Sequence, residues 1–286
     1  NESDKIVGSE GPEIPPPVQE DAANAREPCA ASPGDPANDL ELEEREIPDT
    51  PDSSLFPRSL RSGRMKKIAP SYLTQYLKCG EQYRRRQILK EVVPPGIALH
   101  KGSGFHKGAE KNFEEKIVSG LDLPADRVIE IAVETMRYRI KSDGLLLSPD
   151  EQSAGLDITL NKAEKSLVSM TGLFSDEVAP RHDPLMIEQY VQMPVPNSDW
   201  ILSGRIDLIN KKNRIVDFKT AGKSPAKNSA DLSIQLTVYG LLYWATFGKA
   251  PEGYDLDHCV DKKVPAVVSL TTTRQESDFV AVLNTV

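Results

Sequence analysis

Between residues 173 and 186 the spacing of apolar side chains changes from helical to alternating, and that change dictates a mixed fold. Upstream, residues 71–90 carry Leu73, Tyr76, Leu77, Tyr83 and Leu89 at helical intervals, interrupted near Gly80. Residues 102–117, 127–140 and 156–173 read as further amphipathic helices. Downstream, residues 186–195 alternate and are rich in β-formers, and Pro196-Asn197-Ser198-Asp199 is a turn. Residues 200–209 and 214–220 are two more strands around the polar turn Asn210-Lys211-Lys212-Asn213. An apolar helix over 232–247, a short β-like run over 264–271 and the start of a helix at 279–283 complete the pattern. Helices, then a meander, a helix and a strand predict an α/β (mixed α+β) domain with a three- or four-stranded mixed sheet flanked by helices.

The front of the chain is a different material. Residues 1–57 hold 15 Asp/Glu against only Lys5, Arg26 and Arg45, together with 10 of the 22 Pro. Such a composition buries too little apolar surface to offset its ordering entropy, so residues 1–66 are expected to be a disordered acidic tail and basic linker. The sign reverses at Arg58, Arg61, Arg64, Lys66 and Lys67, and the globular part is expected to begin at Pro70-Ser71, within a domain spanning residues 67–286. One role for the carboxylates of the tail is to mimic nucleic acid in a basic groove. The apolar runs are too short to span a bilayer, and no secretory signal opens the chain, which starts at Asn1 as a fragment or processed form would. Three unevenly spaced cysteines, Cys29, Cys79 and Cys259, point away from a disulfide framework and towards the cytoplasm.

The segment from Gly204 to Thr220 carries the chemistry. With residues 210–213 as the turn, cross-strand position numbers sum to about 423 or 424, so Asp207 lies opposite Val216 or Asp217. Two carboxylates at that range repel unless a cation or proton lies between them. Side chains alternate along a strand, so Asp217 and Lys219 share one face and Val216 and Phe218 the other. These residue types suit metal-assisted phosphodiester hydrolysis: carboxylates hold a hard divalent cation, and an ammonium beside them offsets charge developing on phosphate.

In its motifs this segment resembles the core of the PD-(D/E)XK nuclease superfamily, in its RecB-type branch. The pattern there is Gly-x-x-Asp, Asp-x-Lys-Thr and Gln-x-x-x-Tyr, matched by Gly204 to Asp207, Asp217 to Thr220 and Gln235 to Tyr239. Upstream, Gly102-Ser-Gly-Phe-His106 matches the Gly-x-x-x-His helix of the branch, Glu188 matches a recurrent acidic position, and residues 71–84 resemble its opening helix. The resemblance implies a restriction-endonuclease-like core and a divalent-metal-dependent deoxyribonuclease, by expectation an exonuclease of DNA repair or recombination in a bacterial or phage setting. It implies His106, Asp207, Asp217 and the backbone carbonyl of Phe218 as ligands of Mg²⁺ or Mn²⁺. It also implies Lys219 as the catalytic lysine, Gln235 and Tyr239 lining the site, and Glu188 in support. An imidazole among oxygen ligands admits Mn²⁺ beside Mg²⁺. Some members of the branch carry four cysteines around an iron–sulfur cluster; Cys79 sits near the first, and the cysteines present do not supply the rest.

The basic residues Lys78, Arg84, Arg85, Arg86, Lys101 and Lys107 cluster in sequence around the helices up to His106, a pattern suited to phosphate contacts. Tyr72, Tyr76 and Tyr83 are placed to stack on unpaired bases. The expected partner is single- or double-stranded DNA. Two alternatives stay open: a non-catalytic nucleic-acid-binding module on the same scaffold, and a nuclease subunit that works only with a helicase or recombination partner.

Overall fold

The computed structural model describes residues 66–285, so the expected tail and linker, Lys66 apart, lie outside the described residues. Six strands form one mixed sheet. They are β1 (Lys66–Ile68), β2 (Pro184–Pro194), β3 (Trp200–Asn210), β4 (Arg214–Ala221), β5 (Gly253–Val260) and β6 (Ala266–Thr272). The meander β2-β3-β4 is antiparallel, as the alternation predicts, while β5 joins β4 in parallel and β6 closes the sheet antiparallel to β5. The sheet is therefore larger than the three or four strands expected. Two strands escaped the sequence reading. β1 lies in the basic stretch upstream of Pro70-Ser71, and β5 is interrupted by Asp255, Asp257 and His258.

One edge of β3 is occupied along its length by β2. The other is shared: β1 pairs with Trp200 to Leu202 at one end, and β4 pairs with only Leu208 and Ile209 at the other. Between them β3 and β4 part company, and the site lies at that divergence.

Eight α-helices accompany the sheet among the described residues: α1 (Pro70–Lys78), α2 (Gly80–Tyr83), α3 (Ile97–Ser119), α4 (Ala125–Asp143), α5 (Pro149–Ala154), α6 (Leu156–Leu173), α7 (Ile234–Phe247) and α8 (Glu276–Leu283). The expected break near Gly80 is real, because Cys79 leaves helical geometry between α1 and α2. None of these helices is long and apolar enough to cross a membrane.

The core is double. On one side, Leu236, Val238, Tyr239 and Leu242 of α7 pack with Leu202, Ile206 and Ile215. On the other, Phe105, Ala109 and Phe113 of α3 repeat every fourth residue and meet Val128, Ala132, Leu167, Val216 and Phe218. α3 and α4 approach closely at Gly104, where a Cβ would collide with the Ala132 carbonyl oxygen. By contrast, Gly102, the glycine of the Gly-x-x-x-His match, faces open space.

Candidate active site

The hairpin register follows the sum of 424, with Leu208 opposite Val216 and Ile209 opposite Ile215. The ladder stops there. At the next step the side chain of Asp207 replaces the backbone as acceptor, and its Oδ2 takes the Phe218 N–H at 2.9 Å. Gly204 makes room for this arrangement. A Cβ at that position would lie 2.9 Å from Cε1 of Tyr239, so α7 could not seat its tyrosine against the strand.

His106, Glu188 and Asp207 converge, each offering a ligand atom within 4.8 Å of the others. His106 sits beside the buried stripe of α3, edge-on to Phe105, and its Nδ1 is 3.4 Å from Asp207 Oδ2. Glu188 lies mid-strand in β2 yet has φ +48°, a left-handed conformation that is uncommon outside glycine and turn residues. Burial, then the neighbouring Asp207 and Glu110 carboxylates, push the Glu188 carboxyl up to about 7. Two carboxyl groups and an imidazole that crowd together in this way suit a shared cation.

Asp217 is almost wholly buried and stands beside Lys219, whose Nζ is 2.7 Å from Oδ2. The approach is an ion pair off the hydrogen-bonding direction, and neither carboxylate oxygen has a hydrogen-bond partner among the described residues. Burial pushes the Asp217 carboxyl up; Lys219 opposes this and Asp207 adds to it. A buried carboxylate whose one charged neighbour is the Lys219 ammonium has room for a further cation. The His106–Glu188–Asp207 group fits a divalent ion, and Asp217 is not one of the three: it stands one strand over, on β4, where Asp207 Oδ2 takes the Phe218 N–H.

Lys219 Nζ also donates to Gln235 Oε1 at 3.0 Å, and Gln235 Nε2 donates to the Tyr239 hydroxyl at 2.8 Å. These two α7 residues lie one turn apart on one face, as their spacing predicts. Burial, then the Asp207 and Asp217 carboxylates, keep the Tyr239 phenol protonated. A cleft of about 730 Å³ opens beside the cluster, lined by His106, Lys107, Glu110, Tyr138, Arg139 and Glu188 among others.

The structure thus brings His106, Glu188 and Asp207 into one group, with Phe218 tied to Asp207 and a neighbouring chain of contacts running from Asp217 through Lys219 and Gln235 to Tyr239. The expected nucleic-acid contacts divide. Lys107 borders the cleft and pairs with Glu110 at 2.6 Å. Lys101 is turned elsewhere and donates to Ser166, which bonds Asp261. Arg84 and Arg85 are exposed and engage Glu81, Arg86 is exposed, and Tyr83 packs edge-on against Tyr76. None of these four contacts the cluster. Glu110 was missed by sequence reasoning, although its place four residues after His106 on one helix was a usable signal. Cys79 is exposed and Cys259 buried.

A sheet with this acidic cluster and lysine beside it defines a class of phosphodiester-cutting hydrolases, and comparison with known proteins agrees. The model of the PD-(D/E)XK nuclease superfamily matches residues 67–277. No curated protein matches the chain. Among solved structures, a "Putative exonuclease" from Eubacterium rectale superposes with a TM-score of 0.50 and 11% identity, covering 77% of this chain and 76% of that one. A second, SSO0001, aligns at 16% identity over 62% of this chain and 81% of that one, with a TM-score of 0.27 that carries no weight for the fold. The chain belongs to the PD-(D/E)XK nuclease superfamily. Nucleases of this superfamily act on nucleic acid with divalent metal ions.

Proposed function

We propose that this protein is a Mg²⁺- or Mn²⁺-dependent deoxyribonuclease of the RecB-type branch, acting as an exonuclease. The observation that carries the reading is the meeting of His106, Glu188 and Asp207 beside a buried Asp217 that is orphaned except for Lys219. His106, Asp207, Asp217 and the Phe218 carbonyl would hold the ion, with Glu188 a ligand or its immediate support. A divalent ion so held would supply Lewis-acid polarisation of the phosphoryl group and a more acidic bound water.

The remaining work belongs to side chains. Asp207 ties β3 to β4 through the Phe218 N–H and so fixes the spacing of the two carboxylates. Lys219, held by Asp217 and Gln235, presents an ammonium to the scissile phosphate, where negative charge grows as water attacks and the ester bond breaks. Tyr239 stays a neutral phenol and steers Gln235 towards Lys219. The exonuclease named above supports the mode of attack by likeness of fold only.

Incubation of the full chain with end-labelled single- and double-stranded DNA under Mg²⁺, Mn²⁺ or EDTA tests this. Release of short products with either metal and none in EDTA is expected. Tight binding without cleavage under every condition would favour the non-catalytic module, and cleavage only after a helicase is added would identify a partner-dependent subunit.

A further inference from the structure

The face of β2 and β3 turned away from α7 carries an unassigned row of polar side chains that starts at the cluster. Leu202, Gly204 and Ile206 point towards α7, so Ser203 and Arg205 point the other way. Their antiparallel partners are Gln192 and Tyr190, and cross-strand partners project from the same face. Lys67 of β1, in register with Ile201, joins them. The row is tied together: Lys67 Nζ donates to the Tyr190 hydroxyl at 3.0 Å, and that hydroxyl donates to Gln192 at 3.2 Å.

Its inner end touches the site, because Arg205 Nε is 3.8 Å from Glu188 Oε2. The Arg205 side chain is nonetheless 62% exposed and Tyr190 43% exposed. An open tyrosine is thus flanked by two cations, Lys67 and Arg205, with no carboxylate between them along the row. The row runs across three strands: Tyr190 on β2 faces Arg205 on β3, and Lys67 lies on β1 at the other edge of β3. A ring set between two cations suits a base with its flanking phosphates.

We infer that this row is a track for a single-stranded segment of the substrate, in which Tyr190 stacks on a base and Lys67 and Arg205 meet the flanking phosphates as the strand enters the site. The inference rests on the nuclease reading and deepens it by naming the substrate class. An unpaired strand is specified because stacking on an open ring needs an exposed base face, which a duplex hides.

The test uses the full chain and fluorescence anisotropy with labelled oligothymidylate and with a blunt duplex, in EDTA to stop turnover. Tyr190→Ala should weaken oligothymidylate binding about tenfold and leave duplex binding unchanged, while Tyr190→Phe restores it. Arg205→Gln and Lys67→Gln should each weaken binding and flatten its dependence on salt. Thermal unfolding of each variant separates these effects from misfolding. Unchanged affinities in all variants, or equal losses for strand and duplex, would overturn the track. A wild type that binds through Tyr190 yet cuts nothing with Mg²⁺ or Mn²⁺ would remove the nuclease reading and leave the track standing; a wild type that cuts, with unaltered variants, would remove the track alone.

Discussion

At the scale of single residues, the site depends on what is left out as much as on what is present. Gly204 is required because the Tyr239 ring occupies the space of its missing Cβ. Gly204→Ala should therefore push Tyr239 away from Gln235, loosening the hold on Lys219. Cleavage should fall while thermal unfolding shows a loss of about 1–3 kcal/mol, the usual cost of overpacking. Normal activity in a stable Gly204→Ala protein would show that Tyr239 does not set the position of Lys219. The two described thiols differ for a similarly local reason. Burial, then Asp257, push the Cys259 thiol up to about 12, whereas Cys79 is exposed. A thiol reagent at mildly alkaline pH should modify Cys79 promptly and reach Cys259 only on unfolding, with mass spectrometry of the peptides as the readout.

The elements hold these residues through two junctions. Phe113 of α3 stacks on Phe218 of β4 with ring centroids 5.7 Å apart and meets Phe174 edge-on. This contact fixes α3, and His106 with it, against the strand that carries Asp217 and Lys219. Phe113→Ala should cost about 3–5 kcal/mol in chemical denaturation. The second junction is the buried pair of His182 and Asp257 on β5, 2.7 Å apart. Burial pushes the Asp257 carboxyl up, but its hydrogen bonds to His182 and Ser269 prevail and hold it below the usual aspartate range. A depressed carboxyl contributes stability above its unfolded value and loses it as pH falls through the folded one. Wild type should thus lose stability as pH falls below the usual aspartate range, and Asp257→Asn should flatten that part of the profile.

The same elements show what could be read from sequence. The period-two alternation and the Asn210–Asn213 turn narrowed the β3–β4 register to two choices one residue apart, and the structure takes the sum of 424, which keeps Val216 and Phe218 in the core. β5 was hidden because its polar residues find partners far along the chain: Asp255 with Arg214, and Asp257 with His182. Lys101 shares a basic cluster in sequence with Lys107, yet their positions on α3 are not one face, and the former joins Ser166 instead. Glu188 was marked only by the family resemblance, as a supporting acid, since nothing local announces its left-handed backbone.

At the scale of the whole molecule, the sheet sorts the chemistry. α7 brings Gln235 and Tyr239 to one side of β4, α3 brings His106 and Glu110 from the other, and the parting of β3 from β4 lets both reach the same point. Acids are needed there in numbers that would repel one another, and the cost is met by one lysine and by the ion the group fits. The most direct test separates those two. In single-turnover cleavage of end-labelled single-stranded DNA, Lys219→Ala should bind Mn²⁺ as wild type does, monitored by titration in the same samples, yet cut about a hundredfold or more slowly. Cleavage by Lys219→Ala at the wild-type rate would contradict the account.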